Sequence, residues 1–323
     1  MMNWRSLLLR HEAILALLLV VVLVFLAQSS DRFLTVDNLL NQARLMTEIG
    51  LIALAMTFVI VTGGIDLSVG SIVGVVAIVL GVLWQNLGLP LPVAIVLALA
   101  LGTLCGVVNG LIITRFKVPP LIATLATLAL YRGLAEGISQ ARSVRGYPDW
   151  FLVLGQGQVL DVPVQVWLLL LTAIVAACVL GLTVFGRATY AIGSNEIAAR
   201  FSGIAVDRTK ILIYGASGLC ASLAGVIFVS RVTTTRSDMG SGWELDAITA
   251  VVLGGTSIFG GRGTIIGTVL GLALMQALKN GLLLQGYKGD STIILIGTAL
   301  ILTVLLSNLV PLLSRIAGRK RPA

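Results

Sequence analysis

The sequence predicts an all-α polytopic membrane protein with about ten transmembrane helices. Apolar residues make up 57% of the 323 residues, charged residues only 11%, and the mean hydropathy is +1.03. These values lie far outside the range of soluble globular domains. Apolar runs of about 20 residues, the length that a helix needs to cross the hydrocarbon core, recur along nearly the whole chain. We therefore expect a single transmembrane domain over residues 1–323.

Glycine, cysteine and charge usage narrow this class further. The 36 glycines are spread through the apolar runs, which favours tight helix packing, whereas the alternating pattern of a β-barrel is missing. Cys105, Cys178 and Cys220 lie inside apolar runs, so we expect packing residues and no disulfides. The net charge of +8 comes from basic residues scattered through short loops. This pattern indicates membrane orientation and argues against nucleic-acid binding.

Ten spans are predicted from the apolar runs in chain order. The Gly-rich segments TGGIDLSVGS and LGGTSIFGGRGT interrupt the sequence before the third and ninth spans, and both predict broken or re-entrant helices. The two segments also resemble each other weakly, as the repeats of transporters often do. The predicted spans are residues 13–28, 46–62, 71–86, 91–113, 119–136, 164–184, 210–230, 246–260, 264–284 and 291–311.

The distribution of basic residues predicts the orientation of the chain. With both termini in the cytoplasm, more basic residues fall on the inside than on the outside, as the positive-inside rule requires. Residues 185–209 then lie in the cytoplasm, and residues 230–247 lie outside. The first span could instead be a cleaved signal peptide, because NWRSLLLR precedes its apolar run and AQSS follows it. Cleavage would leave nine spans and would not change the side of residues 185–209.

The segment YAIGSNEIAARFSGIAVDRTK, residues 190–210, predicts a short helix over about 196–202 between two spans. Asn195 can cap its start by accepting a backbone hydrogen bond, and Gly203 can end it in the left-handed conformation. Glu196 and Arg200 are spaced to form an ion pair on one helix face.

Ile197 and Phe201 of this segment share a second, apolar face. A short helix of this kind suits docking into a groove on a partner protein. It equally suits a solvated loop helix that lies on the membrane surface.

Four polar residues are embedded in apolar sequence. Asp66 is the deepest acidic residue, and its burial at mid-bilayer would cost about 2.5–3.5 kcal/mol on insertion scales. Asp66 or Ser68 can cap the third span, or they can form a gate on a polar pathway. Asn109 and Gln276 can line such a pathway or hold helices together.

Catalytic signatures are missing from the sequence. It contains one histidine, His11, and no phosphate-binding loop of the form GxxxxGKS or GxxxxGKT, no HExxH and no GxSxG. We therefore expect no catalytic residues and no metal site. An ion-coupled carrier would carry several intramembrane acids, and Asp66 with Glu136 is a poor set. Energy for any transport is expected to come from another subunit.

Four collinear segments resemble one known family: residues 190–210, TGGIDLSVGS, NGLIITRFKVPPLIATLATLALYRG and AITAVVLGGTSIFGGRGTIIGTVLG. They resemble the permease subunits of ABC importers for ribose, xylose, arabinose, rhamnose and the signalling sugar autoinducer-2, over nearly the full chain. The resemblance implies a bacterial inner-membrane permease with a fold similar to that of the vitamin B12 importer. It implies as partners a second permease, identical or paralogous, two cytoplasmic ATPases and a periplasmic sugar-binding protein.

The resemblance also implies roles for particular residues. Residues 185–209 would form the coupling segment that enters a groove on the ATPase. The embedded polar residues Asp66, Ser68 and Asn109 are, from their polarity, candidates for a gate or translocation path. ATP and magnesium would be used by the partner ATPase, with no cofactor bound by this chain. The coupling residues would be Asn195, Glu196, Ala199, Arg200 and Gly203.

Charged residues of the outer segment 230–247 are candidates for docking the sugar-binding protein, unless they are simply solvated. These candidates are Arg231, Arg236 and Glu244. Within the family, RSDMG and VTGGIDLSVGSIVG favour the rhamnose and autoinducer-2 branch. The alternative is a stand-alone secondary transporter or channel for a small polar solute, which would keep the same bundle without an ATPase.

Overall fold

The computed structural model describes residues 11–287 and, beyond them, residues 289, 291, 293, 294, 297, 298 and 301. The part from residue 11 to residue 287 is mostly helical. Its helices in chain order are α1 (His11–Ser29), α2 (Val36–Val61), α3 (Val69–Gly81), α4 (Leu91–Arg115), α5 (Pro120–Ser139), α6 (Asp149–Gln156), α7 (Val164–Leu182), α8 (Val184–Ser194), α9 (Glu196–Phe201), α10 (Val206–Val232), α11 (Trp243–Leu253) and α12 (Ile265–Leu284).

Two local features extend this helical pattern. A π-helical turn, Val82–Asn86, continues α3. Strands β1 (Gln158–Val159) and β2 (Val162–Pro163) pair in antiparallel fashion between α6 and α7. Neither this small hairpin nor helix α6 was predicted from the apolar runs, because both are shorter than a membrane span.

Eight helical segments in the described part of the chain are long and apolar enough to cross a membrane. They are α1, α2, α3 with its π-helical extension, α4, α5, α7, α10 and α12, and they confirm eight of the ten predicted spans. The predicted span 291–311 lies mostly outside the described residues.

The predicted span 246–260 is wrong as a single helix. Helix α11 has only 11 residues and ends at Leu253. Gly255, Gly260 and Gly261 then adopt positive φ values of +89°, +85° and +74°. A right-handed helix cannot continue through that conformation, so the apolar run turns back before α12 begins.

The core of the bundle is formed around α2, α3 and α10. In the most apolar 18-residue stretch of each helix, 78% of α2 is buried within the chain, but only 11% of α1. Helices α1 and α7 therefore present most of their apolar side chains outwards, as expected for surfaces that face lipid.

Helices α4 and α10 approach closely through small residues. Gly102, Gly106 and Gly110 recur every fourth residue on α4, a spacing that places them on one face. A Cβ atom added to Gly106 would lie 2.1 Å from the carbonyl oxygen of Tyr214, and one added to Gly218 would lie 2.1 Å from that of Gly102. The backbones are thus in direct contact, as is common between helices in membranes.

The two predicted Gly-rich breaks meet in space. They form the turn between α2 and α3 (residues 62–68) and the turn between α11 and α12 (residues 254–264). The backbone N–H of Gly261 donates a hydrogen bond of 2.8 Å to the carbonyl oxygen of Val61. Irregular backbone can exist at membrane depth only where protein buries it, and each break supplies part of that cover for the other.

We predict that Gly106→Ala lowers the free energy of unfolding by about 1–3 kcal/mol, because the new methyl group must displace the backbone of α10. Thermal unfolding in detergent measures this effect. Gly133→Ala on α5 is the matched control, since a Cβ there meets nothing within 4 Å and alanine favours the helix. Equal unfolding temperatures for the two variants would contradict the close approach of α4 and α10.

Candidate translocation and coupling sites

A buried polar cluster joins the first break to α4 and α10. One carboxylate oxygen of Asp66, Oδ1, accepts hydrogen bonds from the backbone N–H of Ser68 at 3.0 Å and from its hydroxyl at 2.7 Å. The other oxygen accepts from the hydroxyl of Ser217 at 2.9 Å. Asn109 Nδ2 donates to the Ser68 hydroxyl at 2.7 Å. The structure thus brings the three residues predicted for the translocation path into one network.

The geometry of this cluster is that of a structural turn. Asp66, Ser68 and Asn109 are each 0% exposed. Ser68 occupies the N-cap position of α3, but its hydroxyl bonds Asp66 and Asn109 and caps no helical N–H. Asp66 instead organises the turn by accepting the Ser68 N–H. A role of these residues as a gate stays a prediction.

Sequence reasoning missed the partners of this cluster. Ser217 lies in the middle of α10, where a serine resembles any other small packing residue. Tyr131 of α5 also reaches the cluster region, and its hydroxyl donates to the carbonyl oxygen of Cys105 at 3.0 Å. Gln276, the other embedded amide, donates to Gln42 at 2.7 Å and so holds α12 against α2.

Helix α9 forms as its local sequence predicts. The side chain of Asn195 accepts a hydrogen bond from the backbone N–H of Ala198 at 2.9 Å, which confirms the predicted N-terminal cap. Gly203 follows the helix with φ of +80°, which confirms the predicted left-handed ending. The observed bounds, Glu196–Phe201, agree with the prediction to one residue.

The charged side chains of α9 are directed towards α10. Glu196 pairs with Arg200 at 2.9 Å and with Lys210 at 2.6 Å, and Arg200 also pairs with Asp207. Burial raises the pKa of Glu196, but hydrogen bonds from Lys210 and Arg200 outweigh that effect and leave its pKa below the ordinary value. The carboxylate is therefore ionised at neutral pH, and its ion pairs hold α9 on the start of α10.

The two large apolar side chains of α9 point away from the rest of the chain. Phe201 is 89% exposed and Ile197 is 68% exposed. Ala199 is buried and packs with Ile192 and Val206, so of the predicted coupling residues it is one that faces inwards. The helix thus presents two large apolar groups on its outer surface.

Helix α8 connects this surface helix to both Gly-rich breaks. The hydroxyl of Tyr190 donates to the carbonyl oxygen of Gly263 at 2.7 Å. A Cβ atom added to Gly193 would lie 1.7 Å from the carbonyl oxygen of Val61 and 2.5 Å from the N–H nitrogen of Gly261. The end of α8 is therefore wedged against the contact between the two breaks.

Residues 230–247 lie at the other end of α10, a 27-residue helix that spans about 40 Å. Arg231 donates to the buried carboxylate of Glu48 at 2.7 Å, which ties it to α2. Glu244 is half-buried beside Gly70 of α3. Arg236 pairs with Asp238 and remains largely exposed. Of the three predicted docking residues, Arg236 is thus the most accessible.

No group of three or more histidine, cysteine, aspartate or glutamate side chains is placed to hold a metal ion in the described part of the chain. The candidate sites are a hydrogen-bonded cluster in the bundle, a surface helix with two exposed apolar side chains at one end of α10, and a charged segment at the other end.

Comparison with known proteins assigns the chain to a family. Residues 38–309 match the model of the family described as branched-chain amino acid transport system / permease component. The chain belongs to this permease family. The match covers both Gly-rich breaks, the polar cluster and the surface helix α9.

Relatives of this permease have similar length. It is 42% identical over 297 residues to the ribose import permease protein RbsC of Bacillus subtilis, with 91% of each chain covered. It is 39% identical to RbsC of Escherichia coli K12, with 93% of this chain and 94% of that one covered. It is 40% identical to the autoinducer 2 import system permease protein LsrD of Escherichia coli O9:H4, with 91% and 90% covered. No solved structure was found to match the permease.

We predict that Asp66→Ala destabilises the permease by about 1–3 kcal/mol, because it leaves the buried donors of Ser68 and Ser217 without their acceptor. Asp66→Asn should be tolerated far better, since its amide oxygen can still accept from Ser68 and its N–H can donate to the Ser217 hydroxyl. Thermal unfolding measures both changes. A structural role further predicts that Asp66→Asn transports nearly normally, whereas a strong transport defect in that folded variant would indicate a gate.

Proposed function

We propose that this permease is the membrane subunit of an ATP-driven ABC importer for a monosaccharide. The full-length similarity to ribose and autoinducer-2 import permeases supports a solute of this class. Separate ATPase subunits would use ATP and magnesium, and the permease would bind no cofactor. It would form the pathway through the membrane without performing chemistry.

The single observation that carries the proposal is the surface of α9. Its charges are engaged in ion pairs with its own chain, while Phe201 and Ile197 are left exposed. The side chains of Arg200 and Glu196 are also 37% and 40% exposed, so the outward direction of the two large apolar groups, and not the direction of the charges, supports docking to a partner. An apolar helix face held rigidly by ion pairs is suited to a groove on a partner protein, here the ATPase.

The structure offers a physical route from this surface to the bundle. Helix α9 follows directly on α8, and Gly193 and Tyr190 of α8 contact both Gly-rich breaks. The first break contains Asp66, which accepts a hydrogen bond from Ser217 of α10. Movement of the ATPases would shift the equilibrium between outward-open and inward-open arrangements by displacing α8 against these breaks.

The remaining features of the proposed importer follow from the family resemblance, except for the orientation of the termini, which is predicted from the basic residues. The permease would lie in the bacterial inner membrane with both termini in the cytoplasm, in a ten-helix fold similar to that of the vitamin B12 importer. It would pair with a second permease, identical or paralogous, and receive its solute from a periplasmic binding protein. Arg236 would take part in docking that protein, since its side chain is the most accessible of the predicted set.

The names of the relatives favour ribose or autoinducer-2 as the solute. The short segments RSDMG and VTGGIDLSVGSIVG favour the rhamnose and autoinducer-2 branch, and rhamnose itself stays a prediction from the sequence.

Purification of the tagged permease from its native membrane, followed by mass spectrometry of what accompanies it, tests the proposal. We expect an ATPase with a phosphate-binding loop and a sugar-binding protein. Recovery of the permease alone, together with solute movement in liposomes without ATP, would instead establish a stand-alone transporter.

We predict that Ile197→Ala combined with Phe201→Ala weakens binding of the ATPase by about tenfold or more, because large apolar anchors dominate protein interfaces. Glu196→Ala combined with Arg200→Ala should weaken it as well, since α9 would lose its ion pairs with α10. Both double variants should still insert and fold. Affinity of the detergent-solubilised permease for the purified ATPase measures the effect.

The matched control is Leu160→Ala, which truncates an 83% exposed side chain in the β1–β2 hairpin. This variant should bind the ATPase normally. Normal ATPase binding by both α9 variants would exclude the coupling assignment.

A further inference from the structure

A cavity of about 340 Å³ lies at the end of α10 remote from α9. Its volume falls at the lower end of the range that proteins use for small-molecule sites. The loop between α10 and α11 forms most of its wall, together with the first residue of α11. Its lining residues include Phe228, Thr234, Arg236, Asp238, Ser241 and Trp243.

One wall of the cavity is aromatic. The ring centroids of Phe228 and Trp243 are 4.8 Å apart, with the rings inclined by 47°. Trp243 is the first residue of α11, so its position is set by a helix start rather than by a free loop. Aromatic rings of this kind provide an apolar face on which the C–H face of a sugar ring can pack.

The other walls carry hydrogen-bonding groups. Arg236 donates two hydrogen bonds to Asp238, which leaves the other guanidinium donors and the remaining carboxylate lone pairs free for a ligand. The Thr234 hydroxyl is inaccessible to solvent and has no hydrogen-bond partner within the described residues. Since water does not reach this oxygen, a ligand in the cavity does not reach it either, and Thr234 lines the cavity through its other atoms.

The walls are held in place by the bundle. Arg132 of α5 donates hydrogen bonds to the carbonyl oxygens of Ser237 and Met239. The Thr235 N–H donates to the carbonyl oxygen of Val144 at 3.0 Å, and the Thr235 hydroxyl accepts from the Val144 N–H at 3.0 Å. The loop is therefore fixed on both sides of the cavity, and the site is largely formed before any ligand arrives.

We propose that this cavity is a binding site for a monosaccharide ring, with Trp243 packing against the ring face and Arg236 and Asp238 bonding its hydroxyl groups. This inference rests on the proposed function, because it gives the importer a solute contact within the permease itself. It differs from the predicted docking role of Arg236, in which the same side chain would contact the binding protein and no sugar.

The first test is protection from labelling in the full complex of permease and ATPases, without the binding protein. Ser241→Cys is introduced after the three native cysteines are replaced by alanine, and a membrane-impermeant maleimide labels the new thiol. The probe is whichever of D-ribose, L-rhamnose and autoinducer-2 the wild-type complex transports. We expect this sugar to slow labelling at least severalfold, whereas glycerol, which has no ring face, should not. Trp243→Ala should abolish the protection.

The second test is ATP-dependent uptake of the same sugar in liposomes that contain the complete complex and the binding protein. We expect Trp243→Ala to reduce uptake by about tenfold and Trp243→Phe to restore most of it, since phenylalanine keeps an aromatic face. Trp167→Ala on α7, which truncates another partly exposed tryptophan, should transport normally. Affinity for the sugar-loaded binding protein should be unchanged in the Trp243 variants.

The outcomes separate this inference from the proposed function. Normal ATP-driven uptake without any protection by the sugar would overturn the binding site and leave the importer intact. Weakened affinity of Arg236→Ala and Trp243→Ala for the binding protein, again without protection by sugar alone, would identify a docking surface instead. A wild-type complex that transports no sugar with ATP would refute the proposed function, and this inference with it.

Discussion

The contact between the two Gly-rich breaks is the interaction on which the rest of the structure depends. Each break leaves backbone N–H and C=O groups outside a helix, and in a membrane such groups must be satisfied by protein. The hydrogen bond from Gly261 to Val61 satisfies one N–H of the second break and the last carbonyl group of α2. It lies where α2 ends, and α8 packs against it through Gly193.

Gly193 packs α8 against this contact, and α9 follows directly on α8. The surface helix is therefore connected to the centre of the bundle through α8. On the other side of the first break, Asp66 ties the start of α3 to α10 through Ser217. Helix α10 therefore connects all three regions: its first residues hold α9, its middle binds the polar cluster, and its last turn lines the cavity at the far end. A single long helix with these contacts can relate events at the two membrane surfaces.

Local signals account for most of what could be predicted. Eight spans, the two breaks and the caps at Asn195 and Gly203 each depend on residues within one turn or one apolar run. The prediction of one helix over residues 246–260 is wrong because it follows the apolar composition of this run. Glycines with positive φ, which composition does not reveal, end the helix at Leu253. The glycine content predicted close helix packing, but neither the face of α4 that carries Gly102, Gly106 and Gly110 nor its partner helix was predicted.

The sequence by itself determined that this protein is a helical membrane bundle, where its helices break, and that a capped surface helix follows α8. These properties follow from length, hydropathy and backbone conformation, which act between near neighbours. Only the tertiary structure decided which polar groups are paired, since Asp66 and Ser217 are 151 residues apart and Glu48 and Arg231 are 183 apart. It also decided that the charges of α9 face its own chain and its apolar groups face outwards, because Lys210 and Asp207 reach α9 only once α10 has packed beside it.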